Sequence, residues 1–224
     1  MHEVLLQLKA NSITHFNTCA MIRTALEFIQ KELDAYITDR EQDPSSYAAG
    51  TVVDLKSIIK PDGTINVTET SHVTIMLVGI EEERREGKRP YYTPTDDKQF
   101  KRLNPPVELD LSILFVGHNS DYPTCLRDIS DVIAFFQSNS VFDAQKYPGL
   151  NSTVADPVNK PWQMIERLSC RLCSLSFEQQ NNLWALLGSK YMPSVVYKIN
   201  MLTVFDTRGG DKTPSINEIN YTEN

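Results

Sequence analysis

The stretch from Ser176 to Phe205, SFEQQNNLWALLGSKYMPSVVYKINMLTVF, constrains the fold more than any other part of the chain. Its order is a helix, a stop and a long strand. Ser176 caps the helix and Gln179 reaches back to it in an S-x-x-Q capping box. Leu183, Leu186 and Leu187, with Trp184 beside them, make the apolar stripe. Gly188 stands where a left-handed C-terminal residue is wanted, and Pro193 blocks further helix and favours extended backbone before it. From Val195 the pattern alternates, with Val195, Tyr197, Ile199 and Met201 on one face and Val196, Lys198, Asn200, Leu202 and Val204 on the other. All of this is scaffold, and it contains no residue suited to chemistry.

The remaining elements follow from the same two periods. Ile22, Leu26, Ile29 and Leu33 fall at helical spacing and predict a first helix over 19–38. Strands are predicted at 51–59, 72–83, 107–118, 163–175 and 194–205. Ile65 and Val67 are expected to pair back as a short strand across the turn Lys60-Pro61-Asp62-Gly63. A second helix opens near Asp121 and carries Leu126, Ile129, Ile133 and Phe136; the third covers 177–187. Residues 140–161, with Pro148, Pro157 and Pro161, read as irregular. Consecutive strands mostly lack a connecting helix, which disfavours a parallel α/β sheet. The expectation is an α+β domain: a mostly antiparallel β-sheet with about three helices packed on one face. The organisation reads as an N-terminal arm or leading element at 1–18, the domain at 19–205 and a polar C-terminal tail at 206–224.

Composition excludes several classes. The net charge of −7, with no basic cluster, argues against nucleic acid, whose binding depends on neutralising phosphates. The longest apolar run, Val73 to Ile80, is too short to span a bilayer, so no direct membrane insertion is expected. The opening MHEVLLQLK lacks the basic lead and apolar core of a signal peptide, which predicts cytoplasmic synthesis.

Chemistry has no positive support in the sequence. Cys170 and Cys173 form C-x-x-C, yet no second ligand pair accompanies them, and a strand there would send the two sulfurs to opposite faces. They are read as small hydrophobes in a sheet. His2, His15, His72 and His118 are scattered, and His118 with Asp121 is the nearest approach to a pair. No nucleophile elbow, P-loop or dinucleotide fingerprint is present. Glu81-Glu82-Glu83 is read as a strand running into a charged hairpin, with Arg84 and Arg85 as ion partners. No catalytic residue, metal site or cofactor is expected.

Four pieces in order carry a resemblance: VGIEEERR at 78–85, PPVELDLSILFVGH at 105–118, IAFFQSNSVFD at 133–143 and LSFEQQNNLWALLGSKYMPSVVYKINML at 175–202. Together they resemble the tail-terminator (cap) proteins of phage-tail-like extracellular contractile injection systems, over roughly residues 19–205. The resemblance implies helices over an antiparallel sheet, in agreement with the independent reading. It also implies a structural, non-enzymatic role. A homohexameric ring would stop growth of the inner tube and anchor the last sheath layer at the end distal to the baseplate. The partners implied are further copies of the chain, the inner tube protein and the sheath protein, in a particle assembled in the cytoplasm and acting outside or at the surface of the cell. A connector or adaptor joining the tube-sheath end to another component is the alternative. Such a part works through edges and patches: a heterologous interface that closes makes a ring, and a sheath segment can add as a strand to an open sheet edge.

Contact residues are expected in three places. Glu81, Glu83, Arg84 and Arg85 lead into the long segment 84–106, where Tyr91, Tyr92 and Phe100 stand among charges. A loop of that length usually has a binding role, and aromatic and arginine side chains are common interface anchors. The tail adds Ile216, Ile219 and Tyr221 in otherwise polar surroundings, expected to dock on a neighbouring or sheath subunit.

Overall fold

The computed structural model describes residues 21–40, 52–67, 72–83, 91–94, 99–103, 108–154, 156–158, 163–203 and 212–214. A six-stranded sheet forms its centre. Strand β1 (Val53–Leu55) pairs in parallel with β2 (Val73–Glu82); the sheet then continues antiparallel through β5 (Glu108–Gly117), β8 (Ser194–Thr203), β7 (Ile165–Cys173) and β6 (Val141–Asp143). Its α+β class and mostly antiparallel character are those expected from the sequence.

The described residues form three α-helices, α1 (Met21–Arg40), α2 (Tyr122–Ser138) and α3 (Phe177–Leu187). Alternation along the central strands gives the sheet two apolar faces, and the helices divide between them. Leu111, Ile113 and Phe115 of β5, with Tyr197, Ile199 and Met201 of β8, join α1 and α2 in the larger core. Leu114, Val116 and Val196 face the other way and are covered by Trp184, Leu183 and Leu187 of α3. The expected packing of helices on one face therefore holds for α1 and α2, while α3 lies on the opposite face. The physical reason is that β5 carries large apolar residues at both parities near its end, and each set needs its own cover.

Aromatic rings fill the larger core. Phe28 meets Phe142 edge-on at 5.3 Å, Tyr36 meets Phe135 at 5.3 Å, and Phe136 lies 4.3 Å from Tyr197. Asp121 caps α2 by accepting from the Thr124 N–H. Helix α3 shows both predicted ends: the reciprocal capping box of Ser176 and Gln179, and Gly188 at φ +64°. The turn at Gly63 (φ +82°) brings Ile59 and Ile65 together in a single antiparallel bridge, all that forms of the predicted short strand.

Two segments read as irregular contain strands. Within 140–161, Val141–Asp143 forms the edge strand β6 and Pro148–Asn151 a 3₁₀ turn. Within 84–106, β3 (Tyr91–Pro94) and β4 (Gln99–Leu103) make an antiparallel hairpin. Its third strand is β9 (Lys212–Pro214), contributed by the tail, so this small sheet is ordered β3-β4-β9. The two segments expected to make contacts are thus hydrogen-bonded to each other.

Candidate functional site

The surface most suited to recognition is the part of the second sheet face that α3 leaves uncovered. Toward this end of the sheet the residues sharing parity with Leu114 and Val196 become polar: Ser112, Asp110 and Glu108 on β5, Lys198 and Asn200 on β8. The registers Glu81↔Asp110 and Asp110↔Asn200 bring side chains from three strands together. Lys198 Nζ lies 2.8 Å from Glu81 Oε2 and 3.0 Å from Asp110 Oδ2. Asn200 Nδ2 donates to Glu83 Oε2 and to Asp110 Oδ1, both at 2.9 Å. An open groove of about 400 Å³ runs across this end, with Arg167 and Arg171 of β7 on its far wall.

Charge therefore changes sign across the groove, from carboxylates on β2 and β5 to cations on β7 and β8. The bonds from Glu81 and Asp110 push the Lys198 ammonium up to about 12. Partial burial works to raise the Asp110 carboxyl, but the bonds from Asn200 and Lys198 outweigh it and hold the group below its ordinary value. A network that holds the Asp110 carboxyl down and the Lys198 ammonium up suits register and selectivity.

The adjoining sheet edge is only partly paired among the described residues. Strand β1 covers Val73–Ile75, and Lys56 adds one bond to the Ile75 carbonyl. Among the described residues no strand lies beside Met76–Glu82 on that side. An exposed row of backbone donors and acceptors is a template for strand addition.

The structure treats the anticipated site residues unequally. It brings Glu81 and Glu83 together, with Lys198 and Asn200 as partners from a strand far along the chain. Arg84 and Arg85, expected to pair with these glutamates, lie outside the described residues, as do Ile216, Ile219 and Tyr221. Tyr91, Tyr92 and Phe100 fall within the small sheet, where Tyr91 is opposite Leu103, Tyr92 opposite Arg102, and Phe100 opposite both Pro94 and Thr213.

Sequence reasoning missed Asp110, Lys198 and Asn200 as members of the network. The available signal was polar residues at the second-face parity of two otherwise apolar strands. The structure does not assemble the groups weighed in the sequence, the Cys170/Cys173 pair and His118 with Asp121, into one site. Cys170 packs against the larger core and Cys173 against the smaller, and burial pushes the Cys170 thiol up to about 12. Asp121 is occupied as the α2 cap, while His118 Nδ1 is buried with no hydrogen-bond partner. No group of three His, Cys, Asp or Glu among the described residues could hold a metal ion, and no described helix is long and apolar enough to cross a membrane.

Fold and surface define a class: an α+β domain built on a mostly antiparallel sheet with two apolar faces and, among the described residues, a stretch of strand edge with no neighbouring strand. The chain belongs to the Pvc16 N-terminal domain family, whose profile matches residues 24–218. Among solved structures it is similar to the sheath/tube terminator of PVC, an extracellular contractile injection system, in its extended state. There the identity is 16%, the match covers 91% of this chain and 63% of that one, and the TM-score is 0.56. It is also similar to the tube-terminating cap of the anti-feeding prophage AFP, at 11% identity, covering 90% of this chain and 60% of that one with a TM-score of 0.51. This chain thus spans less than two thirds of the length of either structure. Among curated proteins, none shows a significant sequence match.

Proposed function

We propose that this chain is a structural terminator of a contractile injection particle. Copies form a homohexameric ring that caps the inner tube and holds the last sheath layer at the end distal to the baseplate. The role is mechanical and involves no cofactor or reaction. The observation that carries the reading is the family match over 24–218, joined to a fold that follows a sheath/tube terminator over 91% of the chain. Its partners are other copies of itself, the inner tube protein and the sheath protein. The particle assembles in the cytoplasm and acts as an extracellular or cell-associated machine.

The geometry supports a division of labour. The β2 edge at Met76–Glu82, rimmed by Glu81 and Glu83, suits addition of an extended sheath segment: main-chain bonds would give affinity and the Glu81–Lys198–Asp110 network would give register. The β3–β4 hairpin with Tyr91, Tyr92 and Phe100, tied to the tail through β9, supplies contacts to the tube or to neighbouring copies. Arg84, Arg85, Ile216, Ile219 and Tyr221, outside the described residues, are part of the same proposal as contacts to these partners. Deleting the gene tests the reading by electron microscopy of purified particles. The expected result is tubes of variable, extended length with sheaths that fail to stay seated. Tubes of uniform wild-type length that contract normally would refute it.

A further inference from the structure

Helix α3 is better defined by its own ends than by its packing. Its capping box and left-handed Gly188 satisfy both termini, yet of its eleven residues only Trp184 is buried. An isolated helix of this length is marginal in water, and most helical stability in proteins comes from packing. Phe177 is 93% exposed and Leu186 82% exposed. Between them the exposed positions are Gln179, Asn181, Asn182 and Ala185, with Glu178 the one charge, placed in the first turn where the helix dipole favours it. In a chain that is 23% charged, so charge-poor a surface with apolar ends has the composition of an interface core.

The opposite side of the molecule offers a recess of matching character. Between the C-terminal halves of α1 and α2 lies a groove of about 480 Å³, lined by Ala35, Tyr36, Asn139 and the nearly buried rings of Phe135 and Phe142, and rimmed by Glu32 and Asp39. Among the described residues those two carboxylates are the charged groups of its lining, and Arg40 stands at its border, its guanidinium over the Tyr36 ring and bonded to the Tyr36 hydroxyl. The α3 surface carries the complementary sign at its C-terminal end, where Lys190 is exposed just past Gly188.

We propose that α3 of one copy seats against the α1–α2 groove of the next, with Leu186 entering at the exposed Ala35 and Lys190 meeting Glu32 and Asp39. The two surfaces lie on opposite faces of one sheet, since α3 covers Leu114 and Val196 whereas α1 and α2 cover Ile113 and Tyr197. A two-fold pairing cannot engage both contacts at once. The association is head-to-tail, and a head-to-tail contact either closes into a ring or continues as a filament. The inference rests on the ring reading above and assigns the surfaces that build it.

The test is a cysteine pair, Leu186→Cys with Ala35→Cys, oxidised in the purified full chain and in particles that carry it. The two positions face opposite ways within one chain, so any bond between them joins two copies. A covalent ladder reaching the full ring is expected from the double variant and only monomer from either single variant. Lys190→Glu is expected to lower the yield of assembled rings at least ten-fold, and adding Asp39→Lys to restore it. A double variant that gives no ladder in either preparation, or Lys190→Glu chains that assemble like wild type, would overturn the proposal. In that case tubes that still depend on the gene for their length would leave the terminator reading intact. A full ladder from a chain whose deletion leaves tube length unchanged would do the reverse.

Discussion

His72 Nδ1 lies 3.1 Å from Asp128 Oδ2, and the pair ties the start of β2 to the middle of α2 with almost no access to water. Arg127 Nη2 approaches the second carboxylate oxygen at 3.4 Å. Burial pushes the Asp128 carboxyl up, and the attraction of His72 and Arg127 offsets that only in part.

The sign of this shift makes a prediction. As pH rises past the ordinary carboxyl value of 3.8, Asp128 loses its proton in the unfolded chain before it does in the folded one. Its contribution to stability therefore falls through that window and stays level above the folded value. Asp128→Asn removes this falling term, so the urea midpoint of the variant should rise more steeply with pH above 3.8 than that of the wild type. Asp128→Ala also deletes the bond to His72 and should cost about 1–3 kcal/mol at neutral pH. Parallel pH profiles for wild type and Asp128→Asn would contradict the assignment.

Gly117 sets how closely the end of β5 approaches α2. A Cβ there would stand 2.9 Å from the Cys125 carbonyl oxygen and 3.1 Å from Ile129 Cγ1. The first neighbour is backbone, which cannot swing aside as a side chain can. Gly117→Ala should therefore cost about 1–3 kcal/mol, as overpacking typically does. For a chain of this size each kcal/mol lowers Tm by roughly 2–4 °C. A melting curve superimposable on the wild type would show that α2 can retreat without loss.

What could be read from the sequence was whatever is encoded locally. The helix 177–187 was bounded correctly because Ser176, Gln179 and Gly188 each act within a few residues. The long strands were legible within a residue or two because Leu111, Ile113 and Phe115 alternate over a sustained run. Val141–Asp143 is too short to carry a period, so β6 was hidden. The hairpin β3–β4 was hidden for another reason: its Pro94 and charges read as loop, and its third strand arrives from Lys212, over a hundred residues later. Likewise the pairing of Glu81 with Lys198 follows from two successive sheet registers. The sequence offered Arg84 and Arg85 as the partners because they were near in the chain.

The ends of α3 give a local test. Ser176→Ala removes the side-chain acceptor for the Gln179 N–H and should cost about 1 kcal/mol. Gly188→Ala places a Cβ at φ +64° and should cost about as much, although the surrounding space is open. Because α3 buries only Trp184, both losses should concentrate in the helix. Hydrogen exchange should quicken at the α3 amides while those of β5 and β8 stay protected. Equal acceleration across the sheet would mean that α3 and the sheet unfold as one unit.

The Asp110 network should respond to acid in the sense opposite to Asp128. Asp110 is held below 3.8, so the stability it contributes is complete above that value and is lost as pH falls through its folded one. Lys198 is held up at about 12, so its contribution is complete below 10.5 and is lost as pH rises toward 12. Between those limits the network is intact, and changes near neutral pH leave it alone. Asp110→Asn should flatten the acid limb of the stability profile, measured as the urea midpoint from pH 5 down to about 2, while keeping an acceptor for Asn200. Asp128→Asn should steepen the profile just above 3.8, so the two variants distinguish the buried pair from the surface network. An Asp110→Asn variant that loses stability in acid as steeply as the wild type would mean that the groove carboxylate is not held by Lys198 and Asn200 in solution.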